Sequence, residues 1–154
     1  LFNAGTRPAI NLGLSVSRVG GAAQTKIMKQ VAGPLRLDLA QYRELAAFAQ
    51  FGGDLDKATQ DKLSLGARIT EILKQPPYQP VPEYAQILTL WAVTNGYLDA
   101  VPIDRCQAFI MAYVSFVEKQ YPKVAHEIDE KKALDEKLTK ELKEATEKFT
   151  KMEY

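Results

Sequence analysis

The chain has 154 residues, of which 25% are charged, and its formal net charge is +1 at pH 7. This length suits one hydrophobic core, so a single domain is the default expectation. A charge balance so close to neutral excludes the broad basic surface with which proteins hold nucleic acid or an anionic bilayer, and any anion site must therefore be local.

Cysteine and histidine are scarce, with one residue of each, Cys106 and His126. One cysteine cannot form an internal disulfide or a cysteine-based zinc cluster, and one histidine cannot build a metal site alone. No apolar run approaches the ~18 residues of a membrane span. A phosphate-binding G-x-x-x-x-G-K-[ST] loop is also missing. Because the first residue is leucine and no leader precedes it, we expect a piece of a longer soluble protein.

Residues 1–21 carry glycines, prolines and arginines in a pattern that packing does not explain. Apolar residues alternate with small or polar ones at Ile10, Leu12, Leu14 and Val16. This alternation predicts a short strand with a loop on either side. Because a lone strand has no partner for its edges, we expect this segment to be poorly supported alone and to belong to a sheet outside this chain.

A short helix is predicted over residues 22–32, where apolar residues recur at helical spacing. Gly33 and Pro34 end it, because glycine tolerates a left-handed cap and proline cannot continue the helix. Beyond this point the composition changes to long helical patterns. We therefore predict a domain boundary here, with residues 1–33 a remnant of one domain and residues 34–154 a helical bundle.

Helical patterns fill the rest of the chain, over residues 38–51, 54–73, 83–95, 104–120 and 132 onward. Helix 104–120 is apolar almost all round, which predicts a central position, whereas the last helix has one narrow apolar stripe and is expected on the outside. Gly66 lies inside the second pattern, where either close approach of another helix or a kink would explain it. Residues 76–82 contain four of the eight prolines and predict a stiff extended connection.

Several stretches of the sequence match one known family in order and spacing. The longest, RPAINLGLSVSRVG, starts at Arg7, and the match continues through residues 22–24, 28–33, 39–44, 46–52 and 54–56. On these residues the chain resembles the alpha subunits of F-type ATP synthases. The catalytic beta subunit has Tyr-Pro-Ala-Val-Asp where this chain has RPAIN, which favours alpha over beta. Vacuolar-type and secretion-system ATPases and the RNA-translocating termination factor match less well for the same reason.

The resemblance implies both a fold and a function. The implied fold is mainly α, a C-terminal helical bundle of the ATP synthase alpha/beta type preceded by a strand-and-loop remnant of a RecA-like α/β domain. The implied function is that of the regulatory subunit, with a non-catalytic nucleotide site, of a proton-translocating ATP synthase. ATP or ADP with Mg would be bound by the intact subunit. For the isolated piece we expect neither a cofactor nor activity.

The resemblance also implies catalytic residues. Arg18 matches the arginine that the alpha subunit extends toward the terminal phosphate on a neighbouring beta subunit. A permanently protonated, planar guanidinium suits this task, because the phosphoryl transition state spreads charge over several oxygens. Ser15 matches a position needed for activity, where a hydroxyl can bond to backbone and fix the strand that aims Arg18. From the residues alone, both remain open to being solvated side chains of a strand. No metal ligand is predicted.

Three further residues match the adenine pocket of the subunit's own, non-catalytic site. Arg7 and Pro8 correspond to positions that line the base, and Gln75 corresponds to a glutamine that does so from the helical domain. The family commonly has Lys-Gln-x-Gln-Tyr here, whereas this chain has KQPPY, so the second glutamine is replaced by Pro77. Proline offers only ring packing to the base. The alternative for Gln75 is an ordinary polar loop residue.

The implied partners are beta subunits, in an alternating alpha and beta ring, and the gamma subunit of the central shaft near Gly52–Asp56. Carboxylates there can meet basic shaft residues, but Asp54 is equally well explained as a helix cap. No nucleic acid and no direct membrane span are expected. The implied location is peripheral, on the cytoplasmic face of a bacterial inner membrane in preference to a mitochondrial or plastid one. A stand-alone helical interaction module with a flexible N-terminal arm is the alternative from a different class.

Overall fold

The computed structural model describes residues 2–11, 17–50, 55–131 and 133–153, and within these ranges the regular elements are all helical. The α-helices are α1 (Arg18–Ala23), α2 (Lys26–Ala32), α3 (Leu35–Ala49), α4 (Lys57–Ile72), α5 (Glu83–Thr94), α6 (Cys106–Gln120), α7 (Pro122–Lys131) and α8 (Glu136–Glu153). Short 3-10 turns cover Phe2–Ala4 and Ile103–Arg105. The prediction of a mainly α chain is confirmed. Most of the predicted strand falls on residues 12–16, outside the described residues.

The single helix predicted over residues 22–32 corresponds to α2 together with the last two residues of α1, a separate helix that begins at Arg18, in the stretch predicted as strand and loop. Each has its own N-cap: the side-chain oxygens of Ser17 and Thr25 accept hydrogen bonds from the N–H groups of Gly20 and Met28. A hydroxyl cap satisfies one of the N–H groups that a helix start leaves without a partner. Two caps eight residues apart therefore define two starts, which the apolar spacing alone did not distinguish.

Two other helix starts differ from the prediction. The helix predicted from residue 54 begins at Lys57, because Asp56 is the cap and its Oδ1 accepts from the Thr59 N–H at 3.2 Å. Helix α7, which lies between the helices predicted over residues 104–120 and from residue 132 onward, begins at Pro122. Proline is favoured at the first position of a helix, where its missing N–H costs nothing.

One hydrophobic core runs through the bundle, with α6 near its centre as predicted. Helix α6 packs against α4, α5, α7 and α8, and its buried residues are Cys106, Phe109, Ile110, Tyr113 and Val117. Helix α2 contributes Ile27, Met28 and Val31 to the same core. The backbone at Gly33 is right-handed, with φ −52° and ψ −50°, so the predicted left-handed cap is wrong. Packing does not mark the domain boundary predicted at Gly33 and Pro34, which stays a prediction.

The last helix, α8, lies on the outside and buries one stripe. Leu138, Leu142, Ala145 and Phe149 of this stripe are at most 3% exposed. Its charged face carries i,i+4 ion pairs between Lys137 and Glu141 and between Lys143 and Glu147. Each of these exposed pairs contributes only ~0.2–0.5 kcal/mol.

Candidate functional site

Arg18 lies at the first position of α1, directly after the capping residue Ser17. The sequence had placed it at the end of a strand, so its setting is corrected to a helix start. Its side chain is exposed and has no ion pair within the described part of the chain. An arginine at a helix start gains nothing from the helix dipole, which favours negative charge there. Within the described residues, nothing pairs with its guanidinium.

Two other predicted sites are only partly described. Ser15 lies among residues 12–16, outside the described residues. Of the predicted shaft contact between Gly52 and Asp56, only Leu55 and Asp56 are described. Hydrogen bonds from Thr59 lower the pKa of the Asp56 carboxyl, so this exposed group is ionised at neutral pH while it caps α4.

Arg7 and Gln75, predicted to share a site, are adjacent in the structure. The Gln75 N–H donates to the Arg7 carbonyl oxygen at 2.9 Å, which attaches the N-terminal segment to the end of α4. The Gln75 amide donates to the Gln79 carbonyl at 2.6 Å, and the Arg7 guanidinium lies 4.4 Å from the centre of the Phe2 ring. The expectation that residues 1–21 are poorly supported alone stays a prediction, although Arg7 is hydrogen-bonded to Gln75.

Two recesses lie beside the contact between Arg7 and Gln75. Arg7 and Pro8 line one of them, and Gln75 lines the other. The first has a volume of about 160 Å³ and is lined by Thr6, Arg7, Pro8, Ile10, Leu39, Arg43, Thr70, Leu73 and Lys74. We call it the α3–α4 pocket. The second is a largely apolar groove of about 570 Å³ between the proline-rich connection, α5 and α6, and Gln75 lines it. Leu73 and Lys74 line both recesses, so they form the wall between them.

The sequence did not single out Arg43, the arginine that α3 contributes to the α3–α4 pocket. Its Nη1 atom is shielded from solvent and has no hydrogen-bond partner in the described part of the chain. Arg43 follows Tyr42 and precedes Leu45 on the partly buried face of α3, a position that a helical pattern assigns to apolar residues. In the sequence, Arg43 could therefore have been noticed only as a charged residue next to an apolar stripe.

The described residues contain no group of histidine, cysteine, aspartate and glutamate side chains arranged to hold a metal ion. The Mg expected beside a nucleotide would thus have no cluster of protein ligands in this part of the chain. Among the helices of the described ranges, none combines the length and apolarity needed to cross a bilayer.

Comparison with known proteins places these observations in a family. The family described as ATP synthase alpha/beta chain, C terminal domain, matches residues 24–149. The chain is similar to ATP synthase subunit alpha of Lawsonia intracellularis, with 58% identity over 142 residues, which are 92% of this chain and 28% of that protein. It is also similar to ATP synthase subunit alpha of Desulfovibrio desulfuricans, at 58%, and of Aquifex aeolicus, at 55%. Both matches cover 97% of this chain and 30% of the relative's length.

Proposed function

Because the chain belongs to the ATP synthase alpha/beta chain family through its C-terminal domain, we propose that it serves as the C-terminal part of the alpha subunit of an F-type ATP synthase. The observation that carries this proposal is the identity of 55% to 58% with ATP synthase alpha subunits over at least 92% of the chain. The activity of the whole assembly would be ATP synthesis or hydrolysis coupled to proton transport.

In this role Arg18 supplies a guanidinium to the nucleotide bound by a neighbouring beta subunit. The exposure of Arg18 and the lack of an ion pair in the described residues support this assignment. In other nucleotide hydrolases an arginine supplied in this way contributes a factor of ~10³–10⁵ in rate. Ser15 would support the segment that aims it, by bonding to backbone.

Arg7, Pro8 and Gln75 would border the adenine of the subunit's own nucleotide. The hydrogen bond from Gln75 to Arg7 supports a shared role, since it keeps the two residues together. The phosphates of ATP or ADP, and their Mg, would be held by parts of the subunit that this chain does not contain. Pro77 lies in an exposed turn and offers only ring packing to the base.

The partners in this proposal are beta subunits on either side and the gamma subunit of the central shaft near Gly52–Asp56. The lowered pKa of Asp56 keeps its carboxyl ionised at neutral pH, and this negative charge supports a contact with basic residues of the shaft. The location would be peripheral, on the cytoplasmic face of a bacterial inner membrane. The alternative of a stand-alone module with a free N-terminal arm is opposed by the attachment of Arg7 to the end of α4.

Arg18 provides the direct test. In the assembled complex, Arg18→Ala should reduce multisite ATP turnover by ~10³ or more, because the charge of the transition state would lose a guanidinium donor. Arg18→Lys should not restore turnover, since a lysine cannot bind two oxygens with a planar fork. The matched control is Arg36→Ala, which removes an exposed arginine of α3.

Turnover should be measured together with the subunit composition of the purified complex. The proposal expects intact assembly and slow turnover for both Arg18 variants. Normal turnover in Arg18→Ala, with normal assembly, would remove the catalytic assignment.

A further inference from the structure

The α3–α4 pocket has an excess of positive charge. Among the described residues, its lining includes Arg7, Arg43 and Lys74 and no acidic residue. Lys74 pairs with Glu71, which lies outside the lining. Neither arginine forms an ion pair within the described part of the chain. Two arginines therefore line one small recess in which the described residues supply no compensating carboxylate, and we propose that this pocket binds a small oxyanion such as inorganic phosphate.

Arg43 is the central donor of the proposed site. The residue is partly buried, and its Nη1 atom has neither solvent contact nor an acceptor among the residues that the structure describes. A charged donor without an acceptor destabilises the folded chain, because it has lost water and gained nothing in return. An oxyanion in the pocket would place negative charge beside Arg43, and a small rotation of the side chain would bring the shielded Nη1 atom to its oxygens, of which a guanidinium can bind two at once.

The remaining donors come from the two other walls of the pocket. The Arg7 guanidinium stacks on the Phe2 ring at 4.4 Å from its centre, and stacking through the flat face leaves its in-plane N–H groups available. Lys74 gives one of its three N–H groups to Glu71 and keeps the others. The Thr70 hydroxyl donates to the Gly66 carbonyl at 2.8 Å, so it offers no donor to the anion.

The size of the pocket favours a small anion over an organic molecule. Its volume of about 160 Å³ is roughly five times the ~30 Å³ that a water molecule takes up in the liquid. Sites for organic ligands usually measure ~300–1,000 Å³. An anion of the size of phosphate or sulfate fits this space. The inference goes beyond the nucleotide role proposed above and does not depend on it.

The test is a titration of the 154-residue chain with sodium phosphate, at an ionic strength kept constant with sodium chloride. Calorimetry should show saturable binding to the unaltered chain. Arg43→Gln should weaken binding at least about tenfold, because it removes a charge-assisted contact and a positive charge. Arg36→Gln, the control, removes an exposed charge from the same helix outside the pocket and should change affinity less than about twofold.

The arginine Nε–H resonances of the unaltered chain give a second measurement, which does not depend on how Arg43→Gln folds. Saturable shifts at Arg7 and Arg43, with Arg36 unmoved, support the site. Shifts that rise linearly at all three arginines, or equal affinity in Arg43→Gln and the unaltered chain, overturn it.

Titrations with adenosine and AMP show whether the bound anion is free phosphate or the phosphate of a nucleotide. They also test the adenine proposal separately. AMP that binds more tightly than phosphate, with the gain lost in Arg43→Gln, identifies the anion as a nucleotide phosphate. If AMP binds with the same affinity as phosphate, the anion is identified as a free one. Both results support the site. Phosphate binding without any binding of adenosine would count against the adenine pocket alone.

Discussion

At the residue scale, the polar side chains inside the core are held by defined hydrogen bonds. Tyr113 and Thr146 are both 0% exposed. The Thr146 hydroxyl donates to the Leu142 carbonyl at 2.6 Å, so its single hydrogen is already used. The Tyr113 hydroxyl, 2.7 Å from Thr146 Oγ1, must therefore be the donor of that pair. Burial raises the pKa of Tyr113, so the phenol stays protonated and keeps this hydrogen.

This direction of donation predicts unequal effects of removing the two partners. Thr146→Val leaves a buried phenol without an acceptor and should lower the free energy of unfolding by ~1–3 kcal/mol. Tyr113→Phe removes the donor and leaves Thr146 bonded to Leu142, so a loss of ~0.5–1.5 kcal/mol is expected. Urea unfolding of both variants measures the difference.

The double variant is the control for this pair. With Tyr113→Phe present, Thr146→Val no longer leaves the phenol unpaired, so the second substitution should cost less than it does alone. A larger loss for Tyr113→Phe than for Thr146→Val would contradict the assigned donor.

Arg68 is another buried polar residue, and its hydrogen bonds to backbone carbonyls cannot be predicted from the sequence pattern. It is 8% exposed, and its guanidinium donates to the carbonyls of Leu98 at 2.7 Å and Asp99 at 2.7 Å. These carbonyls belong to the connection between α5 and α6, where no regular helix would bond them. The sequence shows only an arginine inside a helix. Its acceptors are about thirty residues away along the chain.

At the element scale, the packing of α3 on α4 depends on Gly66. A Cβ built at this glycine would lie 2.3 Å from the Tyr42 ring carbon Cγ, far inside contact distance. Helix α4 continues through Gly66. Of the two explanations that the sequence left open, close approach of another helix is therefore confirmed.

Gly66→Ala is expected to destabilise the chain. Alanine adds ~1 kcal/mol of helix propensity, but the clash with Tyr42 forces a displacement that typically costs ~1–3 kcal/mol. Gly21→Ala, where no atom lies within 4 Å of the added Cβ, is the control and should be neutral or stabilising. Thermal unfolding compares them.

The Tyr42→Ala background separates the two effects at Gly66. Without the ring, only the helix propensity remains, so Gly66→Ala should become neutral or stabilising. Stabilisation by Gly66→Ala in the presence of Tyr42 would show that the helices separate without cost.

At the scale of the whole molecule, one ion-pair cluster connects α7, the following turn and α8. Lys131 lies 2.6 Å from Glu127 and 3.2 Å from Asp135, and Lys137 lies 3.6 Å from Glu127. The hydrogen bond from Lys131 lowers the pKa of Glu127. The Leu138 N–H, with Lys131, lowers the pKa of Asp135. These ion pairs thus connect α7 to the start of α8, where the last helix joins the bundle.

These pKa shifts predict acid sensitivity of the whole chain. Carboxyls whose pKa is lower in the folded chain stabilise it above their unfolded values of 4.5 and 3.8, and this contribution disappears as the pH falls through the folded values. Lys131, whose pKa is raised from 10.5, stabilises fully below that value and loses its contribution as the pH rises through the folded value. Between these limits the contribution should be constant.

Lys131→Met, compared with the unaltered chain by urea unfolding at several pH values, checks this expectation. The difference in unfolding free energy should shrink between about pH 5 and pH 3, as the carboxyls become protonated. Lys123→Met, an exposed lysine of the same helix, should show no such trend. A difference that is the same at pH 3 and pH 7 would exclude the cluster as its source.

The sequence by itself determined the helical class, the apolar faces of α5, α6 and α8, and the resemblance to ATP synthase alpha subunits, because periodicity and short motifs lie within continuous stretches of chain. Only the tertiary structure decided that Gln75 holds Arg7, that Tyr42 fills the space beside Gly66, and that Arg43 and Lys74 meet in one pocket. These features join residues far apart along the chain. Their free energies come from burial and hydrogen bonds that exist only once the helices have packed.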